Sequence, residues 1–224
     1  MFGEGYATIP KLGIGEISKQ LKSKLHHTEF MFNCAVQEVT NDSILLHSGE
    51  KISHEGVIIA SSPTSLLPSH EHPTTAWKSC MCLYFEVNQT NIPANTIALI
   101  ADPGNYTNNL YAYTDAATGK TILSATTVQH KEQLIEKIIE KVILEVQQYT
   151  GASLVTCIHH YNIDFALPDI KDLKMTAQPS KSQALENVFV AGDFLFNGSL
   201  NAAMESGRLA AEGMVQKKRG GGGR

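Results

Sequence analysis

The sequence has few cysteines, few charged residues and no long apolar run, and each shortage excludes a class of protein. Four cysteines in 224 residues do not describe a disulfide scaffold. No apolar stretch reaches the roughly 18 residues that a membrane-spanning helix needs. The first residues lack the basic region and apolar stretch of a secretory signal. We therefore expect a cytoplasmic protein without a transmembrane segment.

Positive charge is also scarce. The net charge is −4, and 18% of the residues are charged. The one basic cluster in the sequence, Lys217-Lys218-Arg219, precedes a run of glycines. We expect residues 217–224 to form a flexible tail. The composition gives no basis for expecting a nucleic-acid partner.

Patterns that bind metal ions are weak. Cys80 and Cys82 fall on one face of a predicted strand, but no second pair lies at zinc spacing. We expect both cysteines to be buried, because free cysteine is among the most buried residue types. The pairs at 26–27 and 159–160 are adjacent histidines, which do not share a face of a helix or a strand. We therefore expect no metal site.

The most informative stretch is residues 187–212. The apolar run 188–191 predicts a strand that ends in Gly192-Asp193. A turn-rich link follows, and then a helix over about 200–215 that is rich in small residues. Ligands of open α/β sheets lie at the carboxyl ends of the strands. The first helical N–H groups have no backbone partner, so they attract anionic groups such as a pyrophosphate.

This stretch, AGDFLFNGSLNAAMESGRLAAE, resembles the carboxyl-terminal flavin-binding segment of the FAD-dependent amine oxidase superfamily. That superfamily includes monoamine and polyamine oxidases, protoporphyrinogen oxidase and carotenoid desaturases. The resemblance implies that Asp193, after Gly192, hydrogen-bonds the ribityl or phosphate part of FAD. It also implies that the backbone at the start of the helix approaches the flavin pyrimidine edge and the pyrophosphate, through Leu200, Asn201 and Ala202.

Two residues before the helix fit that role. Gly198 lets the backbone come close to a ligand, because it has no side chain. Ser199 is a candidate helix N-cap. We expect both to belong to the cofactor site.

The first 62 residues predict a helix and then a small β-meander. The helix covers about 15–26, and the strands cover 30–39, 43–47 and 51–60. In the resemblance, Val36 takes the place of a valine whose backbone meets the adenine of FAD. The strand that ends in VIIASSP would return the chain to the FAD domain.

Residues 63–182 predict a mixed sheet and one long helix. Proline-rich residues 63–73 read as a linker. Strands are expected over 77–87, 97–101, 109–114, 121–127 and 154–161, with an amphipathic helix over 128–149. This arrangement resembles the family's inserted substrate domain. Lys78 lies near the position where some members carry a lysine that holds a water beside flavin N5.

We therefore expect an α/β fold with α+β character: the carboxyl-terminal part of a Rossmann-like FAD domain, with an inserted mixed-sheet substrate domain. The FAD domain would comprise residues 1–62 and 183–216, and the substrate domain residues 63–182. The sequence lacks a G-x-G-x-x-G motif after an apolar strand. The missing strands would lie beside VFVAGD. The chain would then be a fragment, one subunit completed by a partner chain, or a module that no longer binds FAD.

The expected function is that of an FAD-dependent oxidoreductase, in which a small or apolar substrate gives a hydride to flavin N5. No catalytic acid or base is identifiable. The apolar residues Phe194-Leu195-Phe196 favour a hydrophobic substrate. The alternative is a non-catalytic binding module derived from a flavoprotein.

Overall fold

The computed structural model describes residues 8, 10–67, 76–93, 96–115, 117–128, 134–171, 174 and 176–221. The helices are α1 (Gly15–Ser23), α2 (Ile135–Thr150) and α3 (Leu200–Gly221). The strands are β1 (Val36–Val39), β2 (Ser43–Leu46), β3 (Lys51–Ser53), β4 (Val57–Ile59), β5 (Trp77–Val87), β6 (Ile97–Leu99), β7 (Thr107–Thr114), β8 (Thr121–Val128), β9 (Val155–Pro168) and β10 (Val188–Val190). Short 3₁₀ turns occupy Pro179–Ser182 and Asp193–Leu195. No helix in these ranges is long and apolar enough to cross a membrane.

Five antiparallel strands form the largest sheet, in the order β6-β7-β8-β5-β9. Alternating residues of β5 point to one face of the sheet, among them Leu83 and Phe85, which are fully buried. Helix α2 covers this face with its apolar stripe, Ile138, Val142 and Val146. The substrate-domain region therefore carries its own hydrophobic core.

A buried carboxylate joins α2 to the loop before β7. Glu145 accepts hydrogen bonds from the backbone N–H of Tyr106 at 2.9 Å and of Thr107 at 2.8 Å. Lys141, one turn earlier, donates to the Tyr106 hydroxyl at 2.8 Å. Because a buried charge is costly unless it is paired, these bonds fix the loop against the helix.

The opposite face of the sheet, here called the open face, is not covered by a helix among the described residues. The strand register places Tyr111, Ser124, Tyr84 and His159 in one row across it. The neighbouring row contains Tyr161, whose ring meets those of Tyr84 and His159 edge-on. The open face is therefore lined by aromatic side chains that carry hydroxyl or imidazole groups.

The second unit is built from two parallel strands and α3. β10 pairs in parallel with β4, and the apolar faces of both contact neighbouring elements. Helix α3 lies close to this unit because its packed side is small: a Cβ on Gly213 would come within 2.7 Å of the Pro179 carbonyl oxygen. The outer edge of β10 is occupied by Gln183, which bridges to Phe189. The outer edge of β4 has no strand partner in the described part of the chain.

Residues 8–35 contrast with both units. Helix α1 has no buried residue, although its apolar side chains follow helical spacing. Several large apolar residues of this stretch are exposed: Leu12, Ile14, Leu21, Leu25, Phe30, Met31 and Phe32. Lys22 lies over the rings of Phe30 and Phe32, which stack on each other. Nothing in the described structure covers this surface.

Several predicted boundaries were wrong. The strand expected over 30–39 begins only at Val36, and Asn33 has a left-handed φ of 58°. The strand expected over 51–60 is interrupted between β3 and β4. The last sheet strand continues past 161 to Pro168.

The helix ends also differ from the prediction. Helix α2 begins at Ile135 rather than at 128, because Val128 still pairs with Cys80 in the sheet. Helix α3 continues to Gly221, past the expected end at 215. Residues 217–221, expected in a flexible tail, are helical, and Lys218 forms an ion pair with Glu55. The expected linker begins with a segment that packs: Leu67 is buried, while residues 68–73 lie outside the described residues.

Candidate functional site

The turn between β10 and α3 is closed around one carbonyl group. The Asp193 carbonyl oxygen accepts hydrogen bonds from the N–H of Phe196 at 3.0 Å and of Gly198 at 3.2 Å. These bonds arise because the segment folds into a 3₁₀ turn directly after the strand. The turn brings Gly192, Asp193 and the start of α3 together, as the sequence predicted.

A buried serine on α3 holds the start of this turn. Ser206 is 1% exposed, accepts a hydrogen bond from the Gly192 N–H at 2.8 Å and donates to the Ala203 carbonyl at 2.7 Å. Sequence reasoning treated Ser206 only as one of several small residues. Ser206 could have been identified because it is a polar residue on the apolar side of the helix. A buried hydroxyl there needs a hydrogen-bond partner.

The predicted cap is confirmed. The Ser199 hydroxyl accepts a hydrogen bond from the Ala202 N–H at 3.1 Å, and the Ser199 carbonyl accepts from the Ala203 N–H. The Ala202 N–H, which was expected to face the cofactor, is therefore already used. The N–H groups of Leu200 and Asn201 have no hydrogen-bond partner within the described residues, and both residues are exposed.

Asp193 belongs to the same turn, and its carboxylate has no partner among the described residues. Asp193 is half-buried, and its side chain makes no hydrogen bond or ion pair with the part of the chain that the structure describes. A carboxylate accepts hydrogen bonds from hydroxyl groups, and free helix N–H groups bind anions. The arrangement therefore fits a ligand that carries both hydroxyl groups and a phosphate.

Glycine is needed at two positions of the turn, for reasons other than the predicted approach of a ligand. Gly198 has a φ of 61°, and a Cβ there would lie 2.8 Å from a methyl group of Leu167. Its glycine is thus required by the turn and by packing against β9, rather than only by the approach of a ligand. A Cβ on Gly192 would collide with the Phe194 ring, which lies against the backbone there.

Two apolar side chains of the turn pack within the structure. Phe196 is 3% exposed and packs with Ala202 and Leu209. Phe194 is half-buried against Gly192. The Phe196 side chain is therefore needed to pack the turn, whereas the prediction of a hydrophobic substrate from Phe194 and Leu195 stays a prediction.

Two other residues from the sequence analysis are not part of this turn. Val36 packs with the cluster that contains Val39 and Val188, and no recorded contact joins it to Asp193. Lys78 forms an ion pair with Asp169 at 3.2 Å. Lys78 pairs in the sheet with Leu167, the residue that contacts Gly198, so it lies at the sheet end that faces the turn.

Cys80 and Cys82 are only half-buried, so the expectation that both are buried was wrong. Both lie on the open face, because the buried positions of β5 are the alternate ones. Burial, and then the neighbouring Cys82, raises the pKa of the Cys80 thiol. Among the described residues, no group of three or more His, Cys, Asp or Glu side chains is placed to hold a metal ion.

The parallel β4–β10 pair with α3, joined to an antiparallel five-stranded sheet with α2, gives an α/β fold with α+β character. Residues 1–215 match the family described as flavin containing amine oxidoreductase. The chain belongs to this family. A search of the curated proteins found no match.

Several solved structures have a similar fold. A protein from Pyrococcus furiosus is similar with a TM-score of 0.66 and 14% identity, over 91% of this chain and 52% of that one. A triple mutant of putrescine oxidase has a TM-score of 0.62 and 13% identity, over 93% and 52% of the two chains. Cyclohexylamine oxidase from Brevibacterium oxydans has a TM-score of 0.60 and 12% identity, over 92% and 53%. This chain thus spans about half the length of the structures it matches.

Proposed function

We propose that this chain is the carboxyl-terminal half of an FAD-dependent oxidoreductase that oxidises a small amine. The proposal is carried by one turn, between β10 and α3, which contains the Asp193 carboxylate and the N–H groups of Leu200 and Asn201, all without a partner among the described residues. When bound, FAD would supply the chemistry by accepting a hydride from the substrate C–H bond next to nitrogen. The residues described here would bind and orient it.

Each group of the turn has a defined task in this proposal. Asp193 would accept hydrogen bonds from the ribityl hydroxyls, and Leu200 and Asn201 would donate to an anionic part of the cofactor. Gly192, Gly198, Ser199 and Ala202 would hold these groups in position through the turn and the cap. Val36 would approach the adenine at the other end of an extended cofactor. None of these side chains is proposed as an acid or a base.

The completing polypeptide would add its strands beside β4. We had expected the missing strands beside VFVAGD, but Gln183 occupies the outer edge of β10. The outer edge of β4 has no strand partner among the described residues, and the N–H and C=O groups of such an edge need hydrogen-bond partners when buried. The exposed apolar residues 8–35 would also be covered by that polypeptide.

The open face is the proposed substrate surface. It carries the hydroxyl groups of Tyr84, Tyr111, Tyr113 and Tyr161, and aromatic faces attract cationic ammonium groups. Burial, followed by the neighbouring Tyr84, raises the pKa of Tyr113, so this phenol stays neutral at physiological pH. The names of putrescine oxidase and cyclohexylamine oxidase are consistent with an amine substrate.

The proposal is tested by visible absorbance of the protein completed with its amino-terminal half. We expect a bound flavin spectrum that is bleached when an amine substrate is added without oxygen. A completed protein that folds but takes up no flavin at high FAD concentration would contradict the proposal. A flavin that amines fail to reduce would contradict the substrate class alone.

Asp193→Ala sharpens the test at residue level. Loss of a charge-assisted hydrogen bond is expected to weaken FAD binding by about tenfold or more, with folding intact. Asp164→Ala, which removes an exposed carboxylate on β9, is the matched control and should leave the affinity unchanged. FAD affinity is measured by equilibrium titration of flavin fluorescence. Equal affinities for the two variants would remove Asp193 from the cofactor site.

A further inference from the structure

A cavity of about 230 Å³ lies between α3 and the segment that precedes β10. Its floor is apolar and consists of Ala177, Leu195, Phe196 and Leu209. The proposed cofactor groups, Asp193 and the N–H groups of Leu200 and Asn201, do not line it. It is therefore a separate site from the one proposed for FAD.

The buried hydroxyl groups in the wall are already satisfied. Ser182 donates a hydrogen bond to the Pro179 carbonyl at 2.6 Å. Ser206 accepts from the Gly192 N–H and donates to the Ala203 carbonyl. Neither hydroxyl has a proton left to donate, and Gln178, a further polar side chain of the lining, is exposed. The buried part of the cavity therefore suits the apolar part of a ligand.

Two lysines stand at the rim and give the site its charge. Lys174 and Lys181 line the cavity and are exposed, and no carboxylate lines it among the described residues. Neither lysine forms an ion pair with a described residue. The Lys174 N–H donates to the Phe196 carbonyl at 3.1 Å, which fixes its backbone next to the floor. The site therefore combines an apolar interior with positive charge at its mouth.

The volume limits the size of the ligand. A dry cavity of about 150 Å³ holds benzene, so this one has room for about nine non-hydrogen atoms at the same density. We propose that the cavity binds a small monocarboxylate with an apolar body, with its ring or alkyl chain on Phe196 and Leu209 and its carboxylate between Lys174 and Lys181. Such a ligand would contact both Phe196 and Ser206 and so stabilise the turn that carries Asp193.

The proposal does not depend on flavin binding, so it is tested on the protein completed with its amino-terminal half and without added FAD. Sodium benzoate is the probe, and benzyl alcohol is its uncharged match in size. Binding is measured by ligand-observed NMR and by the shift in thermal unfolding temperature. We expect saturable benzoate binding and at least about tenfold weaker binding of benzyl alcohol, because the alcohol lacks the charge that the lysines bind. Equal binding of the two probes, or no binding of benzoate, would overturn the proposal.

Three variants locate the site. Lys181→Met keeps the apolar stem but removes the charge, and is expected to weaken benzoate binding about tenfold. Ala177→Phe fills the cavity and should abolish binding. Lys171→Met, an exposed lysine outside the cavity, is the control and should bind benzoate as the unmodified chain does. If Ala177→Phe fails to fold, Lys181→Met decides: unchanged affinity in that variant would show that benzoate binds elsewhere.

Discussion

The five-stranded sheet with α2 and the amino-terminal residues 8–35 differ in how far their apolar side chains are buried. In the sheet region, Leu83, Phe85 and Val142 are fully buried. In residues 8–35, Leu12 and Phe32 are 79% and 66% exposed. The two stretches contain similar apolar residues, so the difference lies in whether the described residues include an element that packs against them.

This difference shows which part of the protein is complete. The sheet region has both layers of its core, because α2 follows directly after β8 and folds back on the sheet. The β4–β10 unit has only two strands, fewer than a stable isolated sheet needs. Under the proposal of a completing polypeptide, the sheet region would fold by itself, whereas residues 8–35 and β4 would depend on that polypeptide.

The largest expected effect comes from the core of the sheet. Phe85→Ala should lower the free energy of unfolding by about 3–5 kcal/mol, because it leaves a cavity at a fully buried position. Phe165→Ala, on the adjacent strand at 74% exposure, should change it by less than about 0.5 kcal/mol. Urea unfolding followed by circular dichroism measures both. Similar losses for the two variants would contradict the description of a one-sided core.

A smaller loss is expected at the buried carboxylate. Glu145→Gln should lower the free energy of unfolding by about 2–3 kcal/mol, because one of the two N–H donors then faces an amide NH₂ instead of an oxygen. Glu140→Gln, an exposed position on the same helix, provides the comparison. Amide hydrogen exchange should accelerate at Tyr106 and Thr107 in the first variant only. Unchanged exchange there would show that Glu145 does not hold the loop.

The unit formed by β4, β10 and α3 is tested by Ser206→Ala. Removing the hydroxyl leaves the Gly192 N–H without its partner, so we expect a loss of about 1–2 kcal/mol in the free energy of unfolding. Ser180→Ala, at an exposed serine near the same cavity, should have little effect. NMR chemical-shift changes should concentrate at Gly192 and Asp193. Shift changes spread evenly over the sheet region instead would argue against this specific link.

The smallest effect concerns thiol reactivity. Burial raises the pKa of both Cys80 and Cys157, so less of each is thiolate near neutral pH. Cys34 is exposed in the amino-terminal stretch. With iodoacetamide at pH 7.5 (about one unit below the usual thiol pKa), we expect Cys34 to be alkylated first. Peptide mass spectrometry at increasing pH should show alkylation of Cys80 and Cys157 rising later, and simultaneous modification of all three would contradict the prediction.

Local patterns in the sequence were sufficient for much of the fold. The alternation in 77–87 predicted β5, and the apolar stripe at Ile138, Val142 and Val146 predicted the buried side of α2. Ser199 was identified as a cap from its position before a helix, and its hydroxyl makes the expected bond. These features depend on residues close together in the chain, so a single sequence contains the information.

Features that depend on distant pairing were not predictable in this way. β9 continues to Pro168 because Trp77 and Lys78 at the start of β5 provide partners, although its exposed residues show no clear alternation. The packing of Gly198 against Leu167 joins two segments far apart in sequence. Phe196 appeared available to a substrate because the sequence does not show that Leu209 covers it.

The single tryptophan of the sequence lies where the five-stranded sheet meets the unit formed by β4, β10 and α3. Trp77 pairs with Pro168, whose ring lies next to Gly198, and its indole packs edge-on against Phe165 with the ring centroids 5.9 Å apart. Excitation near 295 nm would therefore report on this one position alone. The chain thus contains a built-in optical sensor, whose emission would follow the assembly of the two units without any added label.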